Sequence, residues 1–229
     1  MRAVLHAHGQ RMGSVASVTD VYEGFYGGFR PLGKEGDAFF GGAEGIVGTE
    51  LGLGLSEEGL GLIAHDGRRV AMLDEAVGER LAALLQRGWR VHCILAFVAY
   101  NVEKKSFAGE LACIGYDQRL DDKTQDALEV FVGNSTERIA SASRPLLALT
   151  QEQFVRVVES GGAWFLTKEE PWPELPRGSV FYRRRRTLND RLVGAALKGN
   201  TGCLVGSWIG AALVVVAVLA AAWLLFFSG

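Results

Sequence analysis

Cysteine is scarce in this chain of 229 residues: Cys93, Cys113 and Cys203 stand far apart, and no C-x-x-C pair occurs. That excludes a disulfide framework and a paired-cysteine metal site. Cys93 and Cys113 lie in apolar stretches, where a small buried thiol in a reducing, cytosolic compartment is expected. Histidine is equally sparse, at His6, His8, His65 and His92. His6 and His8 share one face of a strand, but a metal site needs three or four ligands and no matching cluster accompanies them. His92 and Cys93 alternate along a strand and point to opposite faces, so they form no nucleophile–base pair. No G-x-S-x-G, H-E-x-x-H or D-x-D-x-D-G pattern occurs. Gly33-Lys34 precedes Glu35 rather than Ser or Thr, which excludes a phosphate loop there. The sequence therefore designates no catalytic, cofactor or metal residue. A net charge of −2 gives no global pull toward nucleic acid or acidic membranes. The opening residues MRAVLHAHGQ lack the long apolar core of a secretory signal.

Charge itself is missing from Cys203 to Gly229, and the last charged side chain before that run is Lys198. A helix from Cys203 to Phe227 is about 37 Å long, enough to cross a hydrocarbon core of about 30 Å with some tilt. Residues 203–227 are read as one transmembrane helix. Arg183, Arg184, Arg185, Arg186, Arg191 and Lys198 precede it, opposed by Asp190 alone. By the positive-inside rule this flank is cytoplasmic, so the N-terminus is expected in the cytoplasm at the cell membrane. Only Ser228 and Gly229 follow the run, which makes a tail-anchored, single-pass topology the expectation. The same six cations are candidate membrane-surface residues, with anionic lipid headgroups as their partners.

Upstream of the anchor the pattern is α+β: a small antiparallel β-barrel or sheet with packed helices. Short strands are expected at Ala3–Ala7 and Ser14–Tyr22. The stretch from Glu23 to Gly54, rich in glycine and phenylalanine, reads as a mobile loop. Asp66-Gly67 between two apolar runs predicts a hairpin with a type I′ turn. Asp74 caps the next helix, Val77, Leu81, Leu84 and Leu85 recur at helical spacing, and Gly88 ends it. Residues 89–101 and 107–117 form a second, longer hairpin with Glu103, Lys104 and Lys105 at its tip. A polar helical segment follows between Asp117 and Ser143, interrupted at Gly133-Asn134. Thr150 and Gln153 make a capping box for a further helix with Phe154, Val157 and Val158 inward. Ala163–Thr167 and Ser179–Tyr182 read as short strands on either side of a connector stiffened by Pro171, Pro173 and Pro176. The organisation is thus a β-rich part at 1–118 and a helical segment at 119–160. Residues 161–202 follow as short strands, connector and basic helix, and 203–227 as the anchor.

Residues 58–98, GLGLIAHDGRRVAMLDEAVGERLAALLQRGWRVHCILAFV from Gly59 on, resemble the latter half of a HIRAN domain. The likeness runs through a strand, a turn with a glycine and basic residues, an aliphatic strand, a helix and another strand. The helix carries Ala76, Leu81, Ala82, Leu84, Leu85 and Gly88. The family's earlier Asn-Pro-Tyr-Asp-like segment is replaced here by SEEGLGL. The resemblance implies a β-barrel extending over 58–118 and a partner in single-stranded DNA. Three functions stand side by side: a non-enzymatic module that recruits a protein partner to the membrane, a nucleic-acid-binding barrel held there, and an enzyme without a recognisable motif.

Overall fold

Seven strands and four helices make up an α+β fold in the computed structural model, which describes residues 17–56 and 59–183. The strands are β1 (Tyr22–Pro31), β2 (Glu50–Ser56), β3 (Gly59–Ile63), β4 (Arg69–Leu73), β5 (Trp89–Asn101), β6 (Ser106–Asp117) and β7 (Ser179–Arg183). All pair antiparallel, in the order β2-β3-β4-β1-β6-β5-β7. β2 also pairs with β5, at Glu50–Ile94 and Leu51–Cys93, so the hydrogen-bonded circuit of six strands returns on itself. β7 lies outside that circuit and pairs with the second half of β5, from Val98 to Asn101. The unit containing these elements ends at Arg185.

Long strands β5 and β6 make the frame, and their side chains divide by alternation into two layers. Cys93, Leu95, Leu111 and Cys113 turn inward with Phe29, Leu62 and Val70 from the neighbouring strands. Ile94, Ala112, Ile114 and Tyr116 turn outward against the helices. A β-bulge between Leu95 and Phe97 shifts this parity: Ala96 faces out and Val98 faces in.

Helix α1 (Gly33–Gly41) and helix α2 (Glu75–Gln86) feed the inner cluster, through Phe39 and Phe40 and through Leu81 and Leu84. Helix α3 (Asp122–Ala140) and helix α4 (Gln151–Glu159) cover the outer layer with Leu128, Phe131, Ile139, Phe154 and Val157. Asp121 caps α3 by accepting from the Thr124 amide, and Thr150 with Gln153 forms the expected capping box on α4.

Several local expectations change. The Gly/Phe-rich stretch is not a loop: it supplies β1, α1 and the start of β2. α1 forms on a glycine-containing sequence because burying Phe39 and Phe40 outweighs the weak propensity. Of Ser14–Tyr22, the described part is a 3-10 turn, Val18–Asp20, capped by Ser17, and only Tyr22 belongs to a strand. The Asp66-Gly67 hairpin exists, but Gly67 alone takes a positive φ of 85°. The Ala64 amide donates to the Arg68 carbonyl across three loop residues, a turn closed by a left-handed glycine rather than type I′. Leu85 is 41% exposed, so it does not share the inward stripe of Leu81 and Leu84. α3 runs through Gly133-Asn134 unbroken, because Leu128, Phe131, Val132 and Ser135 on either side are buried on one face. Ala163–Thr167 is not a strand: Phe165 lies flat on Phe131, with ring centroids 4.8 Å apart.

Candidate functional site

Of the six membrane-surface candidates, Arg183 is the last residue of β7, while Arg184, Arg185, Arg186, Arg191 and Lys198 lie outside the described residues. The run 203–227 lies outside them as well. Among the described residues no helix is long and apolar enough to cross a membrane. His6 and His8 likewise fall outside, and among the described residues no group of His, Cys, Asp or Glu side chains could hold a metal ion.

Two polar constellations that local sequence did not announce sit in the outer layer. The first surrounds His92 on β5. Its Nδ1 donates to Glu50 Oε1 of β2 at 2.8 Å, and its ring stacks on Tyr116 of β6 at 5.9 Å. Its Nε2 is buried without a hydrogen bond, 3.9 Å from Glu129 Oε1 on α3. Glu129 also accepts from the Tyr116 hydroxyl and from Arg90 Nη1. The His92 hydrogen bond holds the Glu50 carboxyl below its usual range. Burial opposes the charge on Glu129, but the bonds from Tyr116 and Arg90 outweigh it and lower that carboxyl too. Burial and the Glu129 contact push the Tyr116 phenol up to about 12. The cluster ties α3 to the β2–β5 seam. Cys93, the sequence neighbour of His92, points into the inner layer, so the two form no nucleophile–base pair.

The second constellation centres on Arg144, whose side chain is 7% exposed. Its Nη2 lies 2.7 Å from Glu110 Oε2 on β6, and its guanidinium sits over the Tyr26 ring at 3.8 Å and the Trp172 ring at 5.6 Å. The neighbouring backbone is fastened at the same place. Tyr26 Oη donates to the Pro145 carbonyl at 2.8 Å, and the Glu170 amide donates to the Arg144 carbonyl at 2.8 Å. Burial drives the Tyr26 phenol far above its ordinary value, so it stays a donor. Arg144 thus clamps the proline-rich connector onto the sheet, and Trp172 and Phe181 extend the contact to Phe97.

The sequence placed the cysteines apart, yet the strand register sets Cys93 directly opposite Cys113 inside the ring. The contact with Cys113 and burial both raise the Cys93 thiol, so Cys93 is not a ready nucleophile. The 440 Å³ hollow near the end of α3, lined by Asn134, Arg138, Ser141 and Phe165, is shallow and open. No family model, curated relative or solved structure matches the chain.

Proposed function

We propose that this chain is a membrane-anchored protein whose α+β domain faces the cytoplasm and serves as a non-enzymatic binding or recruitment module. The observation that carries the reading is the uncharged run 203–227 preceded by Arg183, Arg184, Arg185, Arg186, Arg191 and Lys198. Phe29, Phe40, Leu62, Leu95 and Leu111 fill the inner layer and are almost wholly buried, so on this reading a partner is met at the surface of the domain rather than inside the ring.

The nucleic-acid alternative asks for a basic face. Apart from the six juxtamembrane cations, acidic residues outnumber basic ones in the chain. Many of the arginines that remain already face carboxylates: Arg68 to Asp66 and Glu44, Arg80 to Glu23, Arg119 to Asp117. A recruitment role fits that charge pattern better than phosphate binding does.

The reading is tested by alkaline carbonate washing of membranes, paired with protease added to sealed cells carrying a tag at Met1. Retention in the pellet with an intact tag is expected. A tag cleaved in intact cells overturns the cytoplasmic orientation, and a wholly soluble chain overturns the anchor.

A further inference from the structure

β7 is the last described strand, and the chain runs from it directly into Arg183–Arg186 and on toward the apolar run. Its start is tied to the tip of the β5–β6 hairpin. The Val102 amide donates to the Gly178 carbonyl at 2.9 Å, and Asn101 Nδ2 donates to the Arg177 carbonyl at 3.1 Å. The Asn101 side chain also accepts from the Lys104 amide at 2.7 Å, which fixes the turn. Tip and strand therefore form one continuous edge.

That edge brings together two features: exposed apolar side chains, and cations without an acid partner among the described residues. Lys34, Lys123 and Lys168 also lack such a partner there, so it is the combination that marks the edge. Val102, Val180 and Tyr182 are 57%, 52% and 44% exposed, and they account for half of the large exposed apolar side chains among the described residues. Lys104, Lys105 and Arg177 lie on the same edge, exposed, and none has a carboxylate partner among the described residues. Elsewhere on the domain, arginine is commonly held by an acid, as in the Arg90–Glu129, Arg138–Glu169 and Arg156–Glu152 pairs. Glu103, the acid at the tip, lies against the backbone of Gly178. Apolar side chains interleaved with free cations, on the strand that leads to a basic juxtamembrane segment, match the chemistry of an anionic bilayer surface.

We infer that the edge formed by Val102, Lys104, Lys105, Arg177, Val180 and Tyr182 docks the domain onto anionic lipid. The valines enter the headgroup layer, and the lysines and Arg177 meet lipid phosphates and carboxylates. Tyr182, packed on Phe107 with its hydroxyl donating to the Gly41 carbonyl at 3.1 Å, holds β7 in place and offers only its exposed flank. This inference rests on the membrane reading above. Residues 184–202 have a contour of at most about 60 Å, long enough for this edge to reach a bilayer surface. Anionic lipid draws the basic edge down, while the acidic remainder of the domain is repelled and keeps the opposite side exposed to partners.

The test uses the full chain reconstituted into bilayer discs, which leave both membrane faces open to reagent, made of phosphatidylcholine alone or with phosphatidylserine added. The readout is the rate at which a neutral amine-acylating reagent modifies each lysine. Lys34, Lys123 and Lys168 are exposed and lie outside the edge, so they serve as internal references. On phosphatidylserine discs Lys104 and Lys105 are expected to react about threefold more slowly or less, as bound lipid phosphates and carboxylates shield them. The references should keep their rates, and high salt should remove the protection. Val102→Asp, at an exposed turn position, should melt like the parent and restore the unprotected rate. Equal rates for Lys104 and Lys105 on both discs overturn the inference while leaving the anchor standing. A slowing shared equally by Lys34, Lys123 and Lys168 also overturns it, because no particular edge is then involved. A chain that fails to enter discs of either composition overturns both the inference and the membrane reading.

Discussion

The inner and outer layers of the β5–β6 frame are built on different principles. The inner layer is almost wholly apolar: Phe29, Leu62, Leu81, Leu95 and Leu111 fill it. The charged groups that touch it, Arg80 over Phe25 and Arg87 over Trp89, are exposed side chains at its margin. The outer layer mixes Ile94, Ile114, Phe131 and Phe154 with buried polar atoms that need partners. The Tyr22 hydroxyl donates to the Leu147 carbonyl at 2.8 Å, and Arg144 reaches Glu110. The difference follows from what each layer holds. Strands and helices satisfy their own backbone groups, so the inner layer can be dry. The outer layer also holds 141–149 and 163–177, which are mostly irregular and must find side-chain partners for their carbonyls and amides.

Breaking the inner layer should have the largest effect. Leu81→Asp puts a charge into a fully buried site with no partner and should cost about 4 kcal/mol or more, enough to lose cooperative melting. Leu84→Asp should behave alike. Leu85→Asp, at an exposed position, should melt close to the parent. A severe loss at Leu85 would mean that the stripe is misplaced.

Breaking the outer layer should be costly but survivable. Arg144→Ala leaves Glu110 without its cation and frees the connector, at about 3 kcal/mol by chemical denaturation. Limited proteolysis should then cut within 163–177 before the rest of the domain. Unchanged protection of that segment would show that Arg144 does not hold it.

Two glycines sharpen the comparison with opposite signs. A Cβ at Gly109 would lie 2.4 Å from the Phe97 carbonyl oxygen and 2.6 Å from Phe29 Cζ, so Gly109→Ala should lose about 2 kcal/mol. At Gly133 in α3 nothing stands within 4 Å, and Gly133→Ala should gain about 0.5 kcal/mol. Thermal melts of the two variants moving in the same direction would contradict the packing described.

The smallest effect concerns pH. Glu50 is held below its usual value by His92, so its contribution is fully present above the unfolded carboxyl value of about 4.3. It is lost as pH falls through the lower folded value. Glu50 is half exposed, which keeps the contribution small. The stability gap between the parent and Glu50→Gln should be greatest near neutrality and close in acid; a gap constant with pH would contradict the assignment.

These layers were unequally legible in the sequence. The segment from Gly59 to Gln86 declared itself because its signals are local: a turn glycine, Asp74 and the spacing of Leu81 to Leu84. Even there Asp74 takes cap geometry without its side-chain hydrogen bond. Helix α1 was hidden because its sequence, GKEGDAFFG, is poor in helix formers and is stabilised by tertiary burial of two phenylalanines. The Gly133-Asn134 interruption was misread for the same reason, with packing overriding propensity. The Arg144–Glu110 and His92–Glu50 contacts join residues 34 and 42 positions apart, and nothing local marks such a pair before the register of β1, β2, β5 and β6 is known.

The most direct measurement compares the full chain with one ending at Cys203, by carbonate fractionation followed by a melting curve on the soluble material. The full chain is expected in the membrane pellet. The shortened chain is expected in the supernatant with a single cooperative transition, since the described layers close without residues beyond Arg185. Both chains in the supernatant would contradict anchoring by 203–227. A shortened chain that is soluble but lacks a transition would contradict a domain that folds independently of its anchor.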